Sequence, residues 1–301
     1  MKLKSLAIAA IFAASASTAY AGNFVTLGTG NGTTLTPGNI SAGTGGNGLV
    51  NGAQNPNADV YRIEVLSATY LTGYENTNPL GNIVADTINY QTFNRVGQNN
   101  VPTGTGTLTL LDWKVHTGVD LSPGSAQADI YDFVYRDSSD NSLVFATRYL
   151  NREANNEEAN YLFRYNYTNT PGYQPGVAWM FSSDNDLRMY QAALTTDITF
   201  NNSVPYVDGV VRQKGDFSVS EGNPWSGLFL VKTDAEYYFY SDDIKAIGFA
   251  QAGEEGQPVV NGWIGGFVAS AVPVPEPENY TLMMLGLGVI GAMVRRQKKQ
   301  A

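Results

Sequence analysis

The chain has 301 residues, with 27 acidic and 18 basic side chains, a single histidine and no cysteine. The missing cysteines exclude disulfide bonds, thiolate metal sites and cysteine nucleophiles, so a folded domain must be stabilised by its hydrophobic core. The net charge of −9 disfavours nucleic acid as a partner, because the sequence offers no basic patch to displace counterions from phosphates.

The amino-terminal 21 residues are predicted to be a signal peptide. Lys2 and Lys4 precede the apolar stretch Leu6–Ala14. Ala19 and Ala21 provide the small side chains that a signal peptidase needs at its cleavage site. We therefore expect the chain to be exported and the mature protein to begin directly after this site.

A lead-in rich in glycine and asparagine, residues 22–58, follows. Gly22–Asn55 contains ten glycines and six asparagines in 34 residues, which leaves too little apolar surface for a core. We expect most of this lead-in to be irregular or flexible. Without the signal peptide and the carboxyl-terminal tail, 12 basic and 25 acidic residues remain, a net charge of −13 that favours solubility outside the cell.

Short runs that alternate apolar and polar residues recur from Asp59 onward and predict half-buried antiparallel strands. In one of them, Tyr131, Phe133 and Tyr135 alternate with polar Asp132. The other runs lie at Tyr61–Val65, Leu111–Val115, Ser142–Leu150, Tyr161–Tyr167, Thr195–Phe200, Val204–Gln213, Gly227–Lys232, Glu236–Tyr240, Ile244–Ala250 and Trp263–Ala269.

This pattern predicts an all-β fold, an antiparallel β-sandwich or jelly-roll-like domain over residues 59–270. Ile130–Leu150 is predicted to form a hairpin, because a polar turn cluster separates two alternating runs. Short helical turns are expected at Arg152–Asn160 and Asp184–Leu194. Trp113 is expected to face the core.

Catalytic motifs are sparse, and we assign no catalytic residue and no metal site. His116 follows a predicted strand without a nucleophile-elbow motif, so we expect it to be solvated or to cap a strand end. Carboxylates are numerous enough for weak calcium binding, or for a secreted enzyme that cleaves polysaccharide with two carboxylates paired in space. The adjacent acidic residues are Asp184-Asn185-Asp186, Glu157-Glu158, Asp242-Asp243 and Glu254-Glu255.

Aromatic side chains are the stronger functional signal. The aromatic face of Tyr161–Tyr167 is either core or a flat platform, and the core interpretation is favoured. Tyr237 and Tyr238 lie near two aspartates, while Trp179 and Trp225 follow loops rich in proline and glycine. These four residues are candidate contacts for sugar rings, since an exposed aromatic ring offers an apolar face beside polar groups.

A short linker, residues 271–279, follows the predicted domain. Its prolines interrupt helices and hold the chain extended, the conformation that a processing enzyme grips. The residues of this predicted processing site are Val274, Pro275, Glu276 and Pro277.

The apolar run Tyr280–Val294 is predicted to be a single transmembrane helix. Its 15 uncharged residues would span about 22 Å, less than the ~30 Å hydrocarbon core, which suits a marginal and removable anchor. The glycine pattern from Gly286 to Gly291 lies inside this run and indicates helix packing rather than a dinucleotide cofactor. Residues 295–301 favour a cytoplasmic carboxyl terminus through their basic side chains, Arg295, Arg296, Lys298 and Lys299.

The order of proline, glutamate, proline, apolar helix and basic cluster resembles the PEP-CTERM sorting signal of Gram-negative bacteria. This resemblance, which covers only the tail, implies three things. An exosortase-type membrane protease or transpeptidase recognises the signal, the inner membrane holds the chain transiently, and the protein moves on to the cell surface or extracellular matrix.

The expected function is therefore that of an exported surface or matrix protein with a structural or interaction role in exopolysaccharide-rich biofilm. A carbohydrate-binding module that uses exposed aromatics is one alternative, and a secreted enzyme that acts on polysaccharide is another.

Overall fold

The computed structural model describes residues 24–27, 34–35, 62–71, 84–96, 99–122, 126–151, 159–181, 189, 191–194, 209–217, 226–251 and 260–273. Every regular element within these ranges is a β-strand, and every pair of neighbouring strands is antiparallel, so the predicted all-β antiparallel class is confirmed. The signal peptide, Thr195–Phe200, Trp225 and the tail from Val274 onward lie outside the described residues.

Sixteen strands are present in the described residues. In chain order they are β1 (Val25–Thr26), β2 (Thr34–Leu35), β3 (Glu64–Tyr70), β4 (Ala85–Val96), β5 (Asn99–Ser122), β6 (Ala126–Asp137), β7 (Leu143–Asn151), β8 (Ala159–Tyr165), β9 (Gly176–Met180), β10 (Gln191–Ala193), β11 (Val210–Phe217), β12 (Leu228–Thr233), β13 (Tyr237–Ser241), β14 (Ile247–Gln251), β15 (Val260–Ile264) and β16 (Gly266–Ser270).

The strands form three sheets. An eight-stranded sheet has the order β1-β9-β12-β7-β6-β5-β4-β3, and a six-stranded sheet has the order β15-β14-β8-β11-β10-β2. β13 and β16 form a two-stranded sheet. The predicted Ile130–Leu150 hairpin is confirmed, since β6 pairs with β7 from Ala128 opposite Asn151 to Arg136 opposite Leu143.

The eight-stranded sheet curls until its two ends meet. The backbone N–H of Ile63, just before β3, donates to the carbonyl of Trp179 on β9 at 3.0 Å. Close approach of strands on the concave side requires a glycine: Gly106 on β5 faces Tyr90 on β4, and a Cβ at Gly106 would collide with the tyrosine ring. The curl encloses what we call the inner core, whose largest side chains include Tyr90, Phe133, Tyr135 and Met180.

The six-stranded sheet packs on the outside of the curled sheet, across what we call the intersheet core. Phe145 and Trp179 from one sheet meet Leu162, Val211 and Ile247 from the other. The two sheets thus face each other as in a sandwich. The larger one also closes around a second core, which the prediction of a sandwich or jelly roll did not include.

Strands β6, β7, β9 and β12 are buried on both faces, because they lie between the two cores. On β12, Phe229 and Val231 pack into the intersheet core while Leu228 and Leu230 pack into the inner core. Such strands are almost continuously apolar rather than alternating. Asp132 on β6, the polar residue of an alternating run that predicted a half-buried strand, is 0% exposed.

Short paired segments lie within the predicted lead-in: β1 pairs with β9, β2 pairs with β10, and Leu27 is buried in the intersheet core. Two local expectations are corrected. Ala159 and Gln191 begin strands where helical turns were expected. Trp113 is half-buried at the edge of the inner core rather than central to it.

The aromatic face of β8 is buried, as the favoured interpretation predicted. Tyr161 and Phe163 pack with Val210 and Ala250 in a small third cluster, and Tyr165 lies partly buried against it. Tyr167, just after the strand, lies in the intersheet core. This segment is therefore not an exposed platform for sugar rings.

Candidate functional site

A groove of about 640 Å³ opens between the turn that joins β6 to β7 and the segment that joins β12 to β13. Most of the side chains around it are polar or charged, and one is aromatic. They belong to Arg136, Asp140, Asn141, Ser142, Thr233, Asp234, Ala235, Glu236 and Tyr237.

One wall of the groove is the β6–β7 turn, which the polar cluster in the sequence predicted. The N–H of Asn141 donates to the carbonyl of Asp137 at 2.9 Å, and the N–H of Asp137 donates to the carbonyl of Ser142 at 2.9 Å. Asn141 has a φ of 59°, in the left-handed region that asparagine tolerates better than most residues. The Ser142 hydroxyl donates to Asp140 Oδ1 at 2.6 Å and fixes that carboxylate.

The floor beneath this wall is a network of buried charges centred on Lys232 of β12. Its Nζ lies 2.6 Å from Asp137 Oδ2 and 3.0 Å from Asp140 Oδ2. The Tyr90 hydroxyl also donates to Asp137, at 2.8 Å from Oδ2. Burial raises the pKa of Asp140, but hydrogen bonds from Ser142 and Lys232 outweigh it and hold this pKa below its ordinary value.

Arg136 ties the two walls together. Its Nη1 donates to the carbonyl of Asn141 at 2.9 Å, and its Nη2 donates to the carbonyl of Glu236 at 3.4 Å. On the second wall, the N–H of Ala235 donates to Thr233 Oγ1 at 3.0 Å, and Asp234 accepts a hydrogen bond from a threonine hydroxyl at 2.7 Å. The groove is thus held open by bonds within each wall and between them.

The three aromatic candidates that the structure describes differ in their surroundings. Tyr237 is 38% exposed and lines the groove, whereas Tyr238 is half-buried and packs edge-on against Phe267, with ring centroids 5.7 Å apart. The expectation that Trp179 is exposed was wrong, because its side chain is 2% exposed and lies in the intersheet core. Trp225 lies outside the described residues.

His116 is part of a second polar cluster at the junction of β5 and β13. Its ring stacks on Tyr240 with centroids 6.2 Å apart, and Lys114 Nζ lies 3.6 Å from the Tyr240 centroid. The Tyr240 hydroxyl donates to Asp242, which lies 3.8 Å from Lys114. Burial lowers the pKa of His116, whose Nε2 has no hydrogen-bond partner in the described part of the chain. The histidine is a packing residue rather than a solvated cap.

The groove and the histidine cluster would be missed by sequence motifs, since each joins residues about 100 positions apart. Among the described residues, no three His, Cys, Asp or Glu side chains are grouped so that they could hold a metal ion. In the same residues, we find no helix with the length and apolar character needed to cross a membrane.

The chain leaves the domain through β16, beside the groove. Tyr237 pairs with Ser270 across β13 and β16, and the N–H and carbonyl of Phe267 both bond to buried charged side chains. The Ser270 hydroxyl donates to the carbonyl of Val272 at 2.6 Å. The described chain ends at Pro273, only three residues after this strand.

Residues 273–299 match the family model of the PEP-CTERM protein-sorting motif. The tail is a PEP-CTERM motif. The predicted resemblance is confirmed, and the matched range includes the proline-flanked segment predicted as a processing site, the apolar run and the basic cluster. A PEP-CTERM motif implies sorting by an exosortase and export to the cell surface. Comparison with curated proteins and with solved structures gave no match.

Proposed function

We propose that this protein is a non-catalytic component of an exopolysaccharide-rich biofilm, with a structural or interaction role at the cell surface or in the extracellular matrix. The observation that carries the proposal is the PEP-CTERM motif at residues 273–299. The acidic, cysteine-free composition suits a soluble domain that is stabilised by its core in an oxidising compartment.

In this proposal the tail acts in three steps. After the signal peptide has started export, Tyr280–Val294 stops in the inner membrane, and the basic residues beyond it keep the carboxyl terminus in the cytoplasm. The exosortase then recognises Pro275-Glu276-Pro277 on the outer side and removes the remainder of the tail. A cut in this tripeptide would leave β16 and every other described strand in the mature protein.

Intact-mass measurement of the extracellular protein tests this proposal. Cells with an active exosortase should release or transfer a form that lacks the tail beyond Pro275–Pro277, whereas isogenic cells without the enzyme should retain the full tail. Pro275→Ala combined with Pro277→Ala should block processing, and Pro273→Ala, a neighbouring proline outside the tripeptide, should leave it intact. Mature surface protein that still contains Arg295–Lys299 would contradict the processing step.

A carbohydrate-binding module is the second candidate, and the groove beside Tyr237 favours it. This candidate does not compete with the first. Binding of a matrix polysaccharide would be the interaction by which the sorted protein is held in the matrix.

A further inference from the structure

We propose that the groove lined by Asp140, Asn141, Glu236 and Tyr237 binds a segment of a neutral polysaccharide. The inference deepens the proposed function, on which it rests, by naming the class of ligand that the exported domain binds. The volume of about 640 Å³ lies within the ~300–1,000 Å³ range typical of ligand sites.

The lining favours a ligand rich in hydroxyl groups. Most ligand pockets are mainly apolar, and this one is lined almost entirely by carboxylate, amide, hydroxyl and guanidinium groups. The side chains of Asn141, Glu236 and Tyr237 have no hydrogen-bond partner among the described residues, so their polar atoms are available to a ligand. An apolar ligand would leave these groups desolvated and unpaired.

Tyr237 is the one aromatic residue among the described residues that line this polar groove. Tyr237 is 38% exposed and lines the groove, and its cross-strand partner is the small residue Ser270. The face of a sugar ring presents C–H groups, and its edge presents hydroxyls. A ring stacked on Tyr237 would therefore direct its hydroxyls towards the carboxylates and amide of the groove.

The charge of the groove selects against acidic polysaccharides. Asp140, Asp234 and Glu236 supply three carboxylates, and the guanidinium of Arg136 is directed to the carbonyls of Asn141 and Glu236. A polyuronate or sulfated chain would meet like charges, and the described residues that line the groove offer no free cation to compensate them. Neutral sugars avoid this repulsion, and their hydroxyls donate to the carboxylates.

The groove is also organised before a ligand arrives. Lys232 fixes Asp140 from below, and Arg136 links the two walls, so little ordering of the walls is needed on binding. Walls that are already ordered favour binding, because ordering flexible loops on binding would cost free energy.

The experiment is affinity electrophoresis of the exported protein, purified from culture medium, through gels that contain one polysaccharide each. The probes are a soluble neutral β-1,4-glucan, a neutral galactomannan and a polyuronate. We expect retardation by at least one neutral polymer and none by the polyuronate at the same concentration. Tyr237→Ala should weaken binding about tenfold, as expected for the loss of one aromatic contact, and Tyr237→Phe should retain it.

Trp263→Ala is the matched control, since Trp263 is an aromatic residue 50% exposed on β15, outside the groove. It should bind like the unaltered protein. Equal binding by Tyr237→Ala, stronger retardation by the polyuronate, or no retardation by either neutral polymer would each overturn the proposal. Intact mass of the same samples separates this failure from a failure of sorting, because none of the substitutions alters residues 273–299.

Discussion

Two buried ion-pair networks lie in the part of the chain that the structure describes, and they differ in what they face. In the intersheet network, Asp132 and Arg164 join the two sheets at 2.6 Å and are 0% and 2% exposed. In the groove network, Lys232 bonds buried Asp137 and the partly exposed Asp140. The first network is closed to solvent, and the second has one member at the surface.

The intersheet network is almost fully satisfied within the protein. Asp132 accepts from Arg164 and, at 2.7 Å, from the N–H of Phe267, while Arg164 Nη2 donates to the Phe267 carbonyl at 2.6 Å. The guanidinium also lies 4.5 Å from the centroid of the Phe145 ring. Gly266 leaves the space for the Asp132 carboxylate, since a Cβ there would collide with it. This network fixes the last strand of the domain between the sheets.

Asp132 of the intersheet network and Asp140 of the groove network have pKa values shifted in opposite directions. Burial raises the pKa of Asp132 above its ordinary value, although Arg164 and the Phe267 N–H act in the opposite direction. Asp140, at the surface, has a pKa below its ordinary value. The comparison indicates that one network specifies how the sheets meet, while the other supports an accessible surface.

Removing the cation of the intersheet network should have the largest effect. Among the described residues, Arg164→Met leaves the buried Asp132 carboxylate with only the Phe267 N–H as a donor. We expect this variant to lower the free energy of unfolding by about 3–5 kcal/mol. Urea denaturation followed by tryptophan fluorescence measures this. The double variant Asp132→Leu with Arg164→Met should recover most of the loss, because it leaves no unpaired charge. A single variant as stable as the unaltered protein would show that the pair is not buried.

Removing the cation of the groove network should cost less. In Lys232→Met, Asp137 keeps hydrogen bonds from the Tyr90 hydroxyl and the Ser139 N–H, so we expect a loss of about 1–3 kcal/mol in the same measurement. Lys245→Met is the matched control. Both lysines contact an aromatic ring: Lys245 Nζ lies 4.2 Å from the Tyr165 ring centroid, and Lys232 Nζ lies 4.6 Å from the Phe24 ring centroid. Unlike Lys232, Lys245 pairs with no carboxylate among the described residues. Equal losses of unfolding free energy in the two variants would show that the effect comes from the lost contact with an aromatic ring rather than from the lost ion pair.

The sequence predicted the strands better than the surroundings of those strands. Alternation at Tyr131–Tyr135 identified β6, but alternation alone suggested that Asp132 faces water. The partner that buries it, Arg164, comes from another sheet, and no local pattern encodes that pairing. Strand β9 escaped prediction because Val177–Met180 is continuously apolar, which fits a strand between two cores but lacks the alternation of a half-buried one.

The same limit applies to the candidate site. Tyr237 could be proposed from sequence, since it is aromatic and near polar residues. The groove could not be proposed from sequence, because the β7–β12 pairing, rather than sequence proximity, brings Arg136 and Glu236 together. Trp179 illustrates the opposite error: a preceding proline- and glycine-rich loop suggested exposure, but the strand that follows it is covered on both faces. By contrast, the tail is a linear motif and needed no tertiary information.

The histidine cluster gives the smallest expected effect, and it concerns the same junction as the intersheet network. His116 stacks on Tyr240, which packs edge-on against Phe267 at 5.5 Å. The charged groups that act on the histidine are Asp132, Lys114, Asp242 and Arg164. Burial holds the pKa of His116 below that of an unfolded histidine, so the unfolded chain takes up this proton first as the pH falls.

Neutral His116 therefore makes its full contribution to stability above about pH 6.5, the pKa of a histidine in the unfolded chain. This contribution is lost progressively as the pH falls from there towards the lower pKa of His116 in the folded state. His116→Gln removes this titration while keeping a polar planar side chain. We expect the difference in melting temperature between the two proteins to change between pH 7.5 and pH 5 in favour of the variant. Asp132 titrates in the opposite sense, since its pKa is raised, and it is present in both proteins, so only its electrostatic coupling to His116 remains in the difference. A difference that stays constant with pH would mean that His116 takes up its proton equally in the folded and unfolded chains, and so does not lie buried between β5 and β13.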